Sequence, residues 1–275
     1  MNTKDLSNFF DLTGKAAMLT GGAGIIGTRV CHGLAAHGAS VAIADINEEG
    51  AQTLARDIAA TYKTAAIGIA CDVALEDSVA AAVQTMCDQF GGIDILHNNA
   101  AAKADDLGAF FAPVEDYSLE TWRDIMSVNL DGMFLVAQAV GRRMIEQGRG
   151  GSIIQTASIY GLVGPDPSLY EGSEYLGVQI STPPVYAASK GGVVALTKYL
   201  ATQWAIHGIR VNTLVPGGVE SGQNETFQKN YAARTPMGRM ANADEMIGPV
   251  VFLASDASSY MTGQMVVVDG GWTIR

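Results

Sequence analysis

The sequence predicts an α/β fold: one doubly wound parallel sheet of about seven strands, with helices on both faces. Three observations carry this. Short apolar runs of strand length alternate with longer segments of helical period along the chain, and that alternation builds parallel βαβ units. The first apolar run ends in a glycine-rich turn that opens directly into a helical pattern. Polar and glycine residues follow the strand ends, where an open α/β sheet binds its ligands. The 275 residues are 48% hydrophobic, enough for one sizeable core and too apolar to stay disordered. Residues 1–275 read as a single domain, with no linker.

Residues 1–13 read as a short tail, and Lys15 to Thr20 as the first strand. Thr20-Gly-Gly-Ala-Gly-Ile-Ile-Gly27 follows, then a helix ending at Gly38 and a second strand, Ser40 to Asp45. Glycines let the backbone turn tightly against a pyrophosphate, and the helix amino end offers it free N–H groups. Asp45 falls near the spacing of a carboxylate that binds adenosine ribose hydroxyls. Strand, turn, helix, strand and acid in this order predict a dinucleotide site, so the fold is Rossmann-like. A glycine turn by itself would be only a tight bend.

The units then repeat. Asn47 caps a helix to Tyr62. Ala65 to Ala70 is a strand, Leu75 to Phe90 a helix, and Ile93 to His97 a strand. Ser118 starts one long helix to Gln147, and Gly151 to Thr156 is a strand. Val185 to His207 is helical, and Arg210 to Val215 is a strand. Asn242 with Glu245 makes a capping-box start for a helix to Ala254. Gln264 to Val268 is the last strand. The glycine turn, Asp45, Asp72, Asn98, Ser158 and Pro216 all lie just past strand ends and so converge on one edge.

The formal net charge of −11 disfavours nucleic acid and anionic membrane, which need a basic face. No apolar signal core opens the chain, and no run is long enough to span a bilayer. Cys31, Cys71 and Cys87 are widely spaced and odd in number, so they read as buried thiols in a reducing compartment. A soluble cytoplasmic protein is expected. No metal is expected either, since no H-E-x-x-H or cysteine cluster appears. His97, at a strand end, reads as a packed or hydrogen-bonded histidine.

Tyr186 and Lys190 stand on one helix face, four residues apart. An ordinary helix can also carry that pair. As a functional pair, the Lys190 ammonium would favour the phenolate. Lowering a phenol from ~10 by ~2–3 units takes ~3–4 kcal/mol, which a lysine plus a cationic cofactor could supply. Tyr186 would then act as a general base near neutral pH.

With Thr20-Gly21…Gly27, Asp45, Asp72-Val73, Asn98-Asn99-Ala100, Asn129, Ser158, Tyr186…Lys190, Pro216-Gly217 and Asp269-Gly270-Gly271 in this order, the chain resembles the short-chain dehydrogenase/reductase family, in its compact branch. The resemblance runs from Thr13 to Trp272. It implies Tyr186 as acid/base, and Lys190 as the residue that lowers the Tyr186 pKa and holds the nicotinamide ribose. It implies Ser158 as the hydrogen-bond donor to the substrate oxygen, and Asn129 as the holder of a water that links Lys190 to solvent. NAD is the expected cofactor. Gly21, Gly24, Ile26, Gly27, Asp45 and Ile46 would hold its adenosine and pyrophosphate side. Asp72 and Val73 would flank the adenine. Asn98, Asn99, Ala100, Pro216, Gly217 and Val219 would lie along it. Family members pair the two long helices with a twin, so a homotetramer is expected, with a dimer as the fallback.

The chain departs from the branch in three places. Its turn has the T-G-x-x-G-x-x-G spacing of the extended branch, which keeps a sugar epimerase or dehydratase as an alternative. A non-catalytic dinucleotide sensor is a third reading, opposed by the complete Asn, Ser, Tyr and Lys set. Asn99-Ala100-Ala101 stands where Asn-Ala-Gly is usual. An unusually long segment separates Ser158 from Tyr186. Tyr170 in that segment is a rival base, rejected because Glu174 and not a lysine follows it by one turn.

Residues 159–185 and 217–241 are expected to be the substrate loops, with Tyr170 and Glu171 touching substrate. The first segment reads as a lid. Between Ile159 and Pro184 it has no Lys, Arg or His but carries carboxylates and tyrosines, which suits a neutral polyhydroxylated substrate. Lys229, Arg234 and Arg239 are the cations left to receive a phosphate. The leading reading is an NAD-dependent oxidoreductase of a secondary alcohol or ketone.

Overall fold

The computed structural model describes residues 8–275. Its strands are β1 (Ala16–Thr20), β2 (Ser40–Asp45), β3 (Ala66–Ala70), β4 (Ile95–Asn98), β5 (Gly151–Thr156), β6 (Glu174–Tyr175), β7 (Val178–Gln179), β8 (Ile209–Pro216) and β9 (Met265–Val268). Seven form one sheet in the order β3-β2-β1-β4-β5-β8-β9, every pair parallel. The helices are α1 (Ile25–Ala36), α2 (Glu48–Tyr62), α3 (Glu76–Phe90), α4 (Leu107–Phe110), α5 (Leu119–Met126), α6 (Met133–Gln147), α7 (Pro184–Trp204), α8 (Glu225–Arg234) and α9 (Ile247–Ala254).

Alternate strand residues face opposite layers. Ala17, Leu19, Val41 and Ile43 pack with α1, α2 and α9. Met18, Ala42, Leu96 and Ile153 pack with α3, α6 and α7. Both faces are covered, which is why the strands read as unbroken apolar runs. Each fully buried Leu or Ile contributes ~1.5–3 kcal/mol. The strand order reverses between β1 and β4, and the crevice there opens at the carboxyl edge.

The expected elements form, with physical adjustments. β4 starts at Ile95 and not at Ile93, because the Gln147 side chain brackets the Ile93 backbone at 2.8 Å on both its N–H and C=O. The expected 118–147 helix starts at Ser118, whose hydroxyl caps Thr121 N–H at 3.0 Å. Between α5 and α6 it widens into a π segment, Ser127–Gly132. The catalytic-helix pattern ends in a 3-10 turn, Ala205–His207. The Asn242–Glu245 capping box is present and opens a 3-10 turn ahead of α9. The 159–185 segment is ordered by two 3-10 turns, Ile159–Gly161 and Pro167–Tyr170, and by the β6–β7 hairpin. No helix among the described residues is long and apolar enough to cross a membrane.

Candidate active site

The β1–α1 turn forms one end of the site. A Cβ on Gly27 would stand 2.2 Å from Gly21 O, and one on Gly21 would stand 2.9 Å from Ala100 Cα. Gly21 has φ +64°, which also favours glycine. The turn therefore closes on itself and against the β4 end. No side chain caps the amino end of α1, so its N–H groups remain for a ligand. The two Asp45 carboxylate oxygens accept from Ala23 N–H and Asn47 N–H, each at 2.9 Å. The acid thus stands beside the turn.

The other end is built by β5 and α7. Ser158 lies just past the β5 end, and its hydroxyl hydrogen-bonds the Tyr186 phenol. A Cβ on Gly161 would meet Lys190 backbone atoms at 2.7 Å, so this glycine lets the Ser158 segment lie against α7. Lys190 is only 2% exposed and donates to Thr156 O at 3.0 Å. Burial lowers its pKa from 10.5 to about 8. His97 Nε2 and Thr156 Oγ1 lie 2.8 Å apart, and burial lowers the His97 pKa to about 3. His97 is thus a neutral packed residue, as expected.

The expectation joined Lys190 to a cationic cofactor; in the protein alone the Tyr186 pKa is raised and not lowered. Burial raises the phenol, and the bond from Ser158 offsets only part of that. The Lys190 ammonium sits over the Tyr186 ring, 5.7 Å from its centroid, and is directed to Thr156 O instead of the phenol oxygen.

One cleft of about 710 Å³ joins the two ends. Gly21, Gly24, Ile26, Asp45 and Ile46 line its first part, and Asp72 and Val73 its side. Asn99, Ala100, Pro216, Gly217 and Val219 run along it to Ser158, Tyr186 and Lys190. Four expected residues do not line it. Gly27 packs beneath the turn. Asn129, fully buried in the π segment, accepts from Ala102 N–H at 2.8 Å and leaves its Nδ2 unpartnered. Glu171 lines an outer hollow with Pro167 and Gln179 and not the cleft. Asn98 is likewise buried, bonded to Thr20 and to Met133 O; Asn99 takes the cleft position.

Tyr170 does line the cleft, held by the packing of its own segment. Leu169 (1% exposed) packs with Phe227, Tyr231 and Met240. Asn230 Nδ2 donates to Leu169 O at 3.1 Å, and Asn224 Nδ2 to Glu174 O at 2.6 Å. Arg234 pairs with Asp166, and Arg239 with Glu245. These two cations are therefore committed to structure and are not available to a phosphate. Lys103 Nζ lies 5.0 Å from the Tyr175 ring centroid and joins the hairpin to the loop after β4.

Sequence reasoning missed Tyr160, Phe227 and Tyr231 as cleft residues. The i,i+4 spacing of Phe227 and Tyr231 was a signal for one shared helix face. Nothing in the sequence showed that this face meets Tyr170, 5.4 Å from Phe227 between ring centroids.

A seven-stranded parallel Rossmann-like sheet, with a glycine turn, an uncapped helix end and an acid around one cleft, defines the class: a dinucleotide-binding α/β protein. The comparisons with known proteins narrow it. The family model described as enoyl-(acyl carrier protein) reductase matches residues 21–273. The D-threitol dehydrogenase of Mycolicibacterium smegmatis is 38% identical, over 99% of this chain and 98% of that protein. The gluconate 5-dehydrogenase of Gluconobacter oxydans is 34% identical, over 97% and 98%. The solved structure of a gluconate 5-dehydrogenase from Burkholderia cenocepacia, in complex with NADP and tartrate, superposes with a TM-score of 0.85 at 38% identity, covering 98% of each chain. An NAD+-bound xylitol dehydrogenase superposes with a TM-score of 0.82 at 31% identity, over 94% of this chain and 99% of that one. The chain belongs to the short-chain dehydrogenase/reductase family and is an oxidoreductase of alcohols and ketones.

Proposed function

We propose that the protein is an NAD-linked dehydrogenase of neutral polyols or sugars, with Tyr186 as its acid/base. The observation that carries this is the single cleft running from the glycine turn and Asp45 to Ser158, Tyr186 and Lys190. The close approach of Gly21 to the β4 end and the uncapped α1 amino end fit a pyrophosphate. Gly24, Ile26 and Ile46 would flank that part of the dinucleotide, Asp72 and Val73 the adenine, and Asn99, Ala100, Pro216, Gly217 and Val219 its nicotinamide half. When bound, the dinucleotide exchanges a hydride with the substrate carbon and, oxidised, brings a positive charge.

Solved relatives carry both cofactors, NADP in one title and NAD+ in another. Asp45 favours NAD here. Its carboxylate accepts hydrogen bonds from ribose hydroxyls and repels a 2′-phosphate. The only cations among the described residues that line the cleft are Lys103 and Lys190, one against Tyr175 and the other against Thr156.

The protein's own groups handle the proton. Ser158 donates to the reacting oxygen and steadies charge that develops there. Tyr186, a phenol kept protonated by burial, gives its proton to a ketone oxygen in reduction and takes it back from the alcohol in oxidation. Lys190 holds the ribose and reloads Tyr186. The unpartnered Asn129 Nδ2 is placed to hold a water on the proton's way to solvent. Tyr170 walls the substrate side. The chain works as one domain, with 159–185 and 217–241 as its substrate loops.

The relatives are dehydrogenases, which supports net redox over the internal redox of an epimerase. Exposed Leu119, Phe134, Tyr199 and Ile206 on the α5–α6 and α7 elements and the turn that follows support a homotetramer, with a dimer as the fallback; the three free, buried cysteines fit the cytoplasm. The test is a screen of neutral polyols, sugars and hydroxy acids with NAD and NADP, read by absorbance of the reduced cofactor. Turnover of hydroxy acids alone, or product isomers without net reduced cofactor, would overturn the proposal.

A further inference from the structure

We infer that Lys103 is a specificity-determining residue that pairs with a carboxylate on the substrate chain, so that the cleft takes sugar acids (aldonates) beside neutral polyols; this rests on the dehydrogenase reading above. The charges that line the cleft are split by the strand order. Its two carboxylates among the described residues, Asp45 and Asp72, follow β2 and β3 on one side of the reversal between β1 and β4. Its two cations, Lys103 and Lys190, belong to the other side. Lys103 follows β4, and Ala102 before it donates its N–H to Asn129 Oδ1 at 2.8 Å. Asn129 sits in the π segment that packs on α7, the helix of Tyr186 and Lys190. The catalytic half of the cleft is therefore lined by positive charge alone.

The carboxylates of the 159–185 segment do not cancel that charge. Asp166 pairs with Arg234, Glu171 lines the outer hollow, and Glu174 is exposed. None of the three lines the cleft. Of the two cations, Lys190 is buried and donates to Thr156 O. Lys103 Nζ has neither a hydrogen-bond acceptor nor an ion-pair partner among the described residues; its contact is the Tyr175 ring, 5.0 Å to the centroid. A ring face attracts an ammonium from one side and takes up none of its three N–H donors. A lysine is a point charge on a flexible stem and receives a carboxylate without a fixed geometry. An aldonate carries that carboxylate where the alditol has a terminal CH2OH. The redox step is the same for both: a carbinol C–H gives its hydride to the dinucleotide, the O–H proton leaves through Tyr186, and the carboxylate is unchanged.

The test compares matched pairs of equal chain length, threonate with threitol, xylonate with xylitol and gluconate with glucitol, using NAD and the purified full-length protein. Lys103→Met should lower kcat/KM for the aldonates about 10-fold, mainly through KM, and leave the alditols within about 2-fold. Lys103→Arg, which keeps the charge, should stay within about 3-fold of wild type on both. Raising the salt should weaken wild-type kcat/KM for the aldonates more than for the alditols, and Lys103→Met should abolish that difference. Equal losses on both members of a pair, no loss on the aldonates, or a wild type that oxidises alditols and no aldonate would overturn the role of Lys103 while leaving the dehydrogenase reading in place. A wild type that oxidises neither member of any pair would overturn both.

Discussion

Replacing Lys190 with methionine separates the cost of burying an ammonium from its catalytic use. Burial lowers the Lys190 pKa from 10.5 to about 8, a displacement equivalent to about 3–4 kcal/mol at ~1.4 kcal/mol per unit. In the unfolded chain the amine keeps its proton up to about 10.5. In the folded protein it releases the proton above about 8. Between those values the unfolded state binds more protons, so this group makes stability rise with pH across that window. Below about 8 the folded protein bears the full penalty. The methionine of Lys190→Met has a similar aliphatic stem and does not titrate. Its packing and the lost bond to Thr156 O shift stability by an amount independent of pH. The stability of the variant minus that of the wild type should therefore fall by about 2–3 kcal/mol between about pH 7 and about pH 10. Urea unfolding followed by circular dichroism at both pH values reads this difference, and every other titrating group cancels in it. A difference that stays flat with pH would refute the desolvation of Lys190. The variant should also lose turnover and bind NADH more weakly.

Tyr186→Phe should remove more than nine-tenths of kcat, ~1.4 kcal/mol or more, while NADH binding by fluorescence stays within a few-fold. Wild-type kcat/KM should favour NAD over NADP by at least ~10-fold, and Asp45→Ala should narrow that ratio; equal efficiencies in the wild type would remove Asp45 as the selector. Gly27→Ala should weaken NADH binding by at least ~10-fold, because its Cβ would meet Gly21 O at 2.2 Å, and unchanged titration curves would count against a rigid turn. Replacing residues 163–182 with a Gly-Ser linker should cost at least ~100-fold in kcat/KM. It should also lower the thermal midpoint, because Leu169 covers Phe227, Tyr231 and Met240; a shortened protein of wild-type efficiency would end the lid reading.

Local chemistry made much of the fold legible in the sequence. Apolar runs of strand length became buried strands because a parallel sheet covered on both faces needs no polar alternation. The glycine turn and Asp45 were readable because backbone clearance and charge belong to single residues. The Tyr186–Lys190 pair was readable because helical spacing fixes which side chains share a face. The strand-end rule brought residues from distant stretches of the chain to one edge before any distance was known.

Tertiary structure decided what depends on which long-range partner a group finds. Lys190 is directed to Thr156 O, so the same i,i+4 pair that suggested a lowered phenol pKa leaves Tyr186 raised by burial. Arg234 and Arg239 were free cations in the sequence and became ion-pair partners of Asp166 and Glu245. Glu171 and Tyr170 are neighbours in the chain and both line an outer hollow, yet only Tyr170 also reaches the cleft. The π segment at Asn129 and the hydroxyl cluster of Tyr160, Tyr170 and Thr182 have no local signature. Each arises where a helix or loop is fitted against another element, and periodicity carries no record of that contact.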